Sequence, residues 1–512
     1  MAGRVPRGVR WTARSIRDHY LCRGGRRLTS TSSFQGRAFI TTVTLARPAT
    51  ITARNADQAL RTALSRGGQW AELFWERRHA LTLRLDDGKI EDAITGVEQG
   101  AGIRVTSGDR TTYANGNVSD SDDVLALAGR AASWVAGEGA SAAAPDAGRP
   151  DELPRPTTVR IDPRSVPVER KTALLRHIDA VARAVDPRIH QVTATYSESA
   201  QDVVIANSEG LHRSDVRVHL VLRVQCAAKE GDVLETGFES LARSEGFEIM
   251  TDDAVEAVAR TAARRAALNV GADPAPAGTF MAVISSEAGG TLIHESVGHG
   301  LEADLNLKGL SVYSGRIGQK VASELITVLD DGTVAGRRGT QAMDDEGTRT
   351  HRTVLIERGI LRTYMSDRKH AAKLAIERSG NARRESFRHL PICRMTNTMI
   401  APGTSDPDEI VRSVKDGILV KKMGGGQVDV VSGNFAFEIS ECYRIRDGRV
   451  AEPLRGATLV GQGPKLMSEI DMVGSDLGWS VGTCGKDGQG APVADAQPTI
   501  RIPSVVVGGT VQ

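Results

Sequence analysis

The stretch AELFWERRHALTLRLDDGKIEDAITG, Ala71 to Gly96, reads as two strands folded back on each other through Asp87-Gly88. Asp-Gly between runs of apolar and β-favouring residues is a hairpin signal, because both central turn positions need positive φ and these two residue types tolerate it best. A helix-like segment, Asn55 to Gly67, precedes the hairpin, and GAGIRVTSGDRTTYANGN continues it in strand and turn. SDSDDVLALAGRAASWVAG then reads as a helix with capping residues ahead of Val124. Together these elements predict an N-terminal α/β domain over 56–137.

EGASAAAPDAGRPDELPRPT, Glu138 to Thr157, is dominated by Ala, Pro, Gly and Asp and reads as a linker, placed at 138–158. A central α/β region over 159–278 follows. Its first helix carries a stripe of Leu174, Leu175, Ile178, Val181 and Val185. Arg188–Ser199, Gln201–Gly210 and Val216–Ala228 alternate as strands, and DDAVEAVARTAARRAALN reads as a second helix. His177, His190, His212 and His219 are isolated and read as surface or core residues. The remainder, 279–512, is strand-rich, with turn pairs at Asp331-Gly332, Arg358-Gly359 and Asp447-Gly448 and with Phe435, Phe437 and Ile439 on one strand face. The predicted class is α+β: an N-terminal α/β domain and a C-terminal, largely antiparallel β-rich domain.

The balance of 40% hydrophobic and 25% charged residues is that of a soluble globular protein. A net charge of +2 and an aromatic content of 4% argue against a nucleic-acid-binding chain, which needs a basic face or stacking platforms. No apolar run approaches the ~18–20 residues of a membrane-spanning helix. Cys22, Cys226, Cys393, Cys442 and Cys484 are odd in number and scattered, which fits free thiols in a reducing compartment. Residues 1–55 are rich in Arg, lack Lys and hold one acid, Asp18. They read as a basic, disordered extension, and the expected location is cytoplasmic. The same composition is that of a transit peptide, and on that reading the location is organellar.

The C-terminal region opens with GGTLIHESVGHGLEADL, Gly289 to Leu305. Two histidines flanking an acid suggest a zinc hydrolase, but the spacing is HExxxH. In a regular α-helix five steps leave His294 and His299 about 140° apart, against about 40° for the four steps of HExxH. A π-type turn of about 4.4 residues would restore about 50°. A bulge or break is therefore expected at Gly298, whose lack of a side chain tolerates altered backbone. Glu295, beside His294, is the expected general base and proton shuttle, not a ligand. A catalytic zinc takes three protein ligands. Glu302 and Asp304 follow on the same segment, while Cys484 lies in a glycine-rich loop, VGTCGKDGQG. Spacing does not choose among these three.

Several longer motifs, in order, resemble the TldD/PmbA family of metalloproteases: LIHESVGHGLEADL, SVYSGRIGQKVASELITVLDDGT, MDDEGT, GNARRESFRHLPICRMTNT, GGGQVDVVSGNFAF and TCGKDGQGAPV. The resemblance spans about Ala71 to Gly509 and is strongest from Gly290 onward. It implies that His294, His299 and Cys484 bind Zn2+ and that Glu295 is catalytic. It further implies a peptidase that degrades or trims unfolded peptides together with a homologous TldE/PmbA-type subunit, without nucleic acid or membrane. A non-catalytic modulator or scaffold subunit of a peptide-maturation or toxin–antitoxin/gyrase-related complex is the competing reading. The intact set of His294, Glu295, His299 and Cys484 weighs against it.

Two further stretches are candidates for substrate contact. Gly424, Gly425 and Gly426 lack the Lys-Ser/Thr of a phosphate loop and instead suggest close backbone approach to a bound peptide. Arg384 and His389, in ARRESFRHLP, could polarise a scissile carbonyl. Cys393 falls outside the family pattern and reads as a small apolar filler.

Overall fold

The computed structural model describes residues 51–135 and 151–509. The basic extension, apart from 51–55, and the linker up to residue 150 lie outside the described residues. The hairpin at Asp87-Gly88 forms. Trp70–Asp86 and Lys89–Ser107 pair antiparallel along their whole length, and Asp87 (φ 48°) and Gly88 (φ 79°) supply the two positive-φ turn positions.

This hairpin is the nucleus of a seven-stranded sheet. Arg110–Asn117 adds on one side; Ile189–Asn207, His212–Glu230 and Val233–Arg243 add on the other. The short strand Asp151–Glu152 joins parallel to His212–Glu230. The two segments expected as separate strands between Arg188 and Gly210 are one continuous strand, because both halves pair with neighbours that are themselves long. The sheet thus draws strands from both sides of the linker.

Four helices cover one face. Ala53–Leu64 and Ser121–Ser133 pack over Leu73 and Trp75, while Val168–Arg183 and Asp252–Val270 pack over Leu83 and Leu85. Asp120 caps the second helix by accepting the N–H groups of Asp122 and Asp123. Residues of opposite parity point to the other face, as strand alternation requires. There Phe74 meets Met343 and Phe387 of the C-terminal region. Glu72 accepts from Arg104 (2.7 Å) and Arg384 (2.6 Å), and Glu76 accepts from the Phe387 N–H (2.8 Å).

The C-terminal region contains two larger sheets. In the first, strands Asp416–Asp429, Gly278–Ile284, Ile500–Gly508, Thr458–Gln462 and Asn434–Arg446 pair in that order, and the last pairs back to the first, closing a ring. The second has six strands and ends on Gln489–Gln497 and, outermost, Gly478–Lys486. Arg358-Gly359 and Asp447-Gly448 make positive-φ hairpin turns, but Asp331-Gly332 does not: Val328–Asp331 pairs with Arg352–Glu357 across a long loop. A side chain at Gly332 would approach Thr350 to 2.8 Å, so this glycine serves loop packing. Between the sheets, the helical run Thr291–Leu301 buries Leu292, Ile293, Val297 and Leu301 completely, and this anchors the histidines.

Candidate metal centre

The helical run changes pitch at the motif. His294 N–H donates to Gly290 O at the regular α spacing, whereas His299 N–H donates to His294 O, five residues back. His294–Gly298 is a π turn, followed by a 3₁₀ turn over His299–Leu301, and the helical run ends at Glu302 (φ −79°, ψ 126°). The expected widening is present. The expected reason for glycine is not, since Gly298 has ordinary helical angles (φ −54°, ψ −58°). A Cβ at Gly298 would lie 2.1 Å from Met395 Sδ, so the glycine is required by close packing against a buried methionine.

With this pitch the imidazole rings are 5.0 Å apart, nearly perpendicular, and both face Cys484. Cys484 Sγ is 3.2 Å from His294 Nε2 and 3.3 Å from His299 Nε2, and the three donor atoms lie within 4.8 Å of one another. Bonds of ~2.0–2.3 Å to one tetrahedral ion imply donor separations of roughly 3.4–3.7 Å, close to those found.

The carboxylate partners of the rings set their direction. His294 Nδ1 is 2.8 Å from Asp495 Oδ1, and His299 Nδ1 is 3.2 Å from Glu302 Oε2. With each Nδ1–H donating to a carboxylate, each Nε2 is directed at the common point, where loss of its proton would free the lone pair for a metal, the usual support for a metal-binding imidazole. Burial alone would raise the Cys484 thiol, but hydrogen bonds and charge from His294 and His299 pull it down to about 4, so the sulfur is a thiolate. Burial opposes charge on His299 as well; Glu302 and Cys484 overcome it and raise the ring to about 9. A ligand set of two imidazoles and one thiolate, buried and backed by carboxylates, fits a borderline-soft divalent ion.

Of the three third-ligand candidates, only Cys484 joins the cluster. Glu302 stands behind His299 and also pairs with Lys486 (3.0 Å), while Asp304 is held by Lys486 (2.7 Å). The glycine-rich segment around Cys484 is a strand and not a loop: Gly478–Lys486 turns through Asp487-Gly488 into Gln489–Gln497, with φ of 50° and 73° at the turn. That second strand carries Asp495, which the sequence reading missed; the Asp-Gly pair was the available signal.

Glu295 lines the same cleft, of ≈ 610 Å³, as His294, His299 and Cys484. Burial raises its carboxyl against the lowering influence of the two histidines. Gly426, Gln427 and Val428 form one wall, and Ser480 to Lys486 another. Gly425 is open to solvent, and Gly424 borders the neighbouring cavity.

Arg384 and His389 do not reach the centre. The Arg384 guanidinium is fully buried, bonded to Glu72 and the Asp345 carbonyl (2.8 Å) and stacked over Phe74. Its charge is committed to joining the two parts of the molecule. His389 Nδ1 is 3.3 Å from Ser386 Oγ, and the residue lies outside the cleft wall. Cys393 is buried beside the Asp367–His370 pair, with Sγ 3.9 Å from His370 Nδ1 and its thiol pushed up by burial. Among the described residues no helix is long and apolar enough to cross a membrane.

The chain is similar to known proteins along most of its length. Residues 71–135, 161–270 and 277–509 match, respectively, domain 1, the central domain and the C-terminal domain of the PmbA/TldA metallopeptidases. A metalloprotease TldD homolog from Haemophilus influenzae is 37% identical over 450 residues, covering 86% of this chain and 93% of that protein. Two crystal structures share the fold at 19% identity. TldE from Thermococcus kodakarensis superposes with a TM-score of 0.70 over 89% of this chain and 100% of that one. A candidate modulator of a DNA gyrase from Thermotoga maritima gives 0.73 over 89% and 99%.

Proposed function

The chain belongs to the PmbA/TldD metallopeptidase family, and from that premise we propose that it is a zinc-dependent peptidase acting on unfolded peptides. The observation that carries this reading is the convergence of His294 Nε2, His299 Nε2 and Cys484 Sγ beside the Glu295 carboxylate in one cleft. Two imidazoles and a thiolate favour zinc over magnesium or calcium, which prefer oxygen donors. When bound, zinc supplies Lewis-acid polarisation of a peptide carbonyl and makes water acidic enough to lose a proton near neutral pH.

The chain's own residues do the rest. His294, His299 and Cys484 hold the ion, and Asp495 and Glu302 fix the two ring orientations. Glu295 takes a proton from the attacking water and returns it to the leaving nitrogen, a role suited to a carboxyl raised by burial. Beyond Val420 the strand Asp416–Asp429 has one unpaired edge among the described pairings, and Gly478–Lys486 is the outermost strand of its sheet. An extended peptide between these edges would be held through its backbone, which reads conformation and not side chains. Gly426 and its neighbours provide that contact.

A TldE/PmbA-type homologous subunit is the proposed partner, and the cytoplasm the proposed location. The test is hydrolysis of an unstructured peptide by wild type and Glu295→Gln, each alone and with the homologous subunit. Cleavage by wild type only, with zinc retained in both, is expected. Undiminished cleavage by Glu295→Gln would refute the assignment of the base.

A further inference from the structure

A second cavity, of ≈ 330 Å³, meets the metal cleft at Thr483, which lines both. Its wall combines the N-terminal sheet with the C-terminal region. Five arginines border it, Arg78, Arg217, Arg338, Arg383 and Arg384, against three acids, Glu198, Asp345 and Glu385. Most of these charges are committed elsewhere. Arg78 pairs with Glu98 (2.8 Å), Arg217 with Asp345 (2.6 Å) and Arg384 with Glu72 (2.6 Å). Glu198 pairs with Lys171 (2.7 Å), and Glu385 accepts the Gly490 N–H (2.6 Å).

Two guanidiniums have no carboxylate partner among the described residues. Arg338 donates to Gly482 O (3.0 Å) and Thr483 Oγ1 (3.2 Å), and Arg383 donates to Met395 O (2.6 Å). Arg338 Nη1, Gln341 Nε2 and His219 Nδ1 are sealed from solvent without a hydrogen-bond partner, and Gln341 as a whole is 6% exposed. Buried donors left unmade are costly, and most buried polar groups in folded proteins are satisfied. Burial lowers both Arg338 and Arg383 to about 10. Burial and the charges of Arg338, Arg383 and Arg217 hold His219 neutral. All of this describes a site with surplus positive charge and unused donors.

We propose that this cavity binds a small oxyanion, a carboxylate or a phosphate, received by Arg338, Arg383 and Gln341. Two sources share that chemistry: inorganic phosphate, and a peptide's terminal carboxylate reaching past Thr483 from the metal cleft. The second source rests on the peptidase reading; the first does not.

The full-length zinc-loaded chain is tested in two arms. In the first, thermal unfolding is followed with inorganic phosphate and with chloride at matched ionic strength. Phosphate at about ten times its Kd should raise the wild-type Tm by about 1–3 °C. Gln341→Glu, a near-isosteric change that puts a carboxylate into the pocket, should fold with an undiminished Tm and show no phosphate response. In the second arm, one peptide is supplied with a free or an amidated carboxyl terminus. If substrate is the source, wild type shows a KM about tenfold lower for the free acid, and Gln341→Glu erases the difference. A phosphate response without that difference assigns a free anion, and the converse assigns the peptide carboxylate. Absence of both responses, or responses of equal size in Gln341→Glu, overturns the proposal.

Discussion

Asp495 lies 201 residues beyond His294 in sequence, yet its Oδ1 is 2.8 Å from Nδ1 of that ring. The hairpin through Asp487-Gly488 makes this possible, since one of its strands brings Cys484 and the other Asp495 to opposite ends of the same imidazole. Asp495→Ala removes the orienting acceptor and leaves the three donors in place. Zinc affinity measured by chelator competition should fall about 10–100-fold. An unchanged affinity would mean that ring orientation is fixed by packing alone.

The π turn depends on space beside Gly298. Gly298→Ala places a methyl 2.1 Å from Met395 Sδ in a fully buried position. Overpacking of this kind costs about 1–3 kcal/mol. Denaturant unfolding should register that loss, and Gly298→Ala/Met395→Ala should recover part of it. No recovery in the double variant would place the strain elsewhere.

Glu441 ties the helix Asp252–Val270 to the ring of strands, accepting from Arg265 Nε (2.7 Å) and Arg264 Nη2 (2.9 Å) with its own side chain almost wholly buried. Burial would raise its carboxyl, but the two arginines hold it at about 2. Because the folded value is depressed, the stabilisation is fully present above the unfolded value, near 4.5, and is lost as pH falls toward 2. Glu441→Gln should cost about 1.5–3 kcal/mol at pH 7, because Arg265 keeps Glu239 (2.7 Å) but loses the charged acceptor at its Nε. The gap between the variant and wild type should narrow between pH 5 and pH 3. A constant gap would contradict the ion-pair account.

Much of the fold was legible where local chemistry is decisive. Asp87-Gly88 announced its hairpin, and the capping residues ahead of Val124, Asp120 among them, announced their helix. The distorted helix followed from counting angles between His294 and His299, although the role of Gly298 needed Met395, almost a hundred residues on. The strand around Cys484 was obscured by Gly482, Gly485, Gly488 and Gly490, whose low strand preference is overridden by pairing with Gln489–Gln497. For Asp495 the available signal was the Asp487-Gly488 turn, which places its strand beside that of Cys484 but does not point to the His294 ring. Arg384 read as a substrate contact because its partner, Glu72, is 312 residues away.

Zinc K-edge absorption on the purified chain addresses the central claim most directly. The account predicts one zinc with one sulfur at about 2.3 Å and two imidazole nitrogens at about 2.0–2.1 Å, and loss of the sulfur shell in Cys484→Ser. A shell of oxygen and nitrogen alone in wild type, or a sulfur shell that persists in Cys484→Ser, would contradict it.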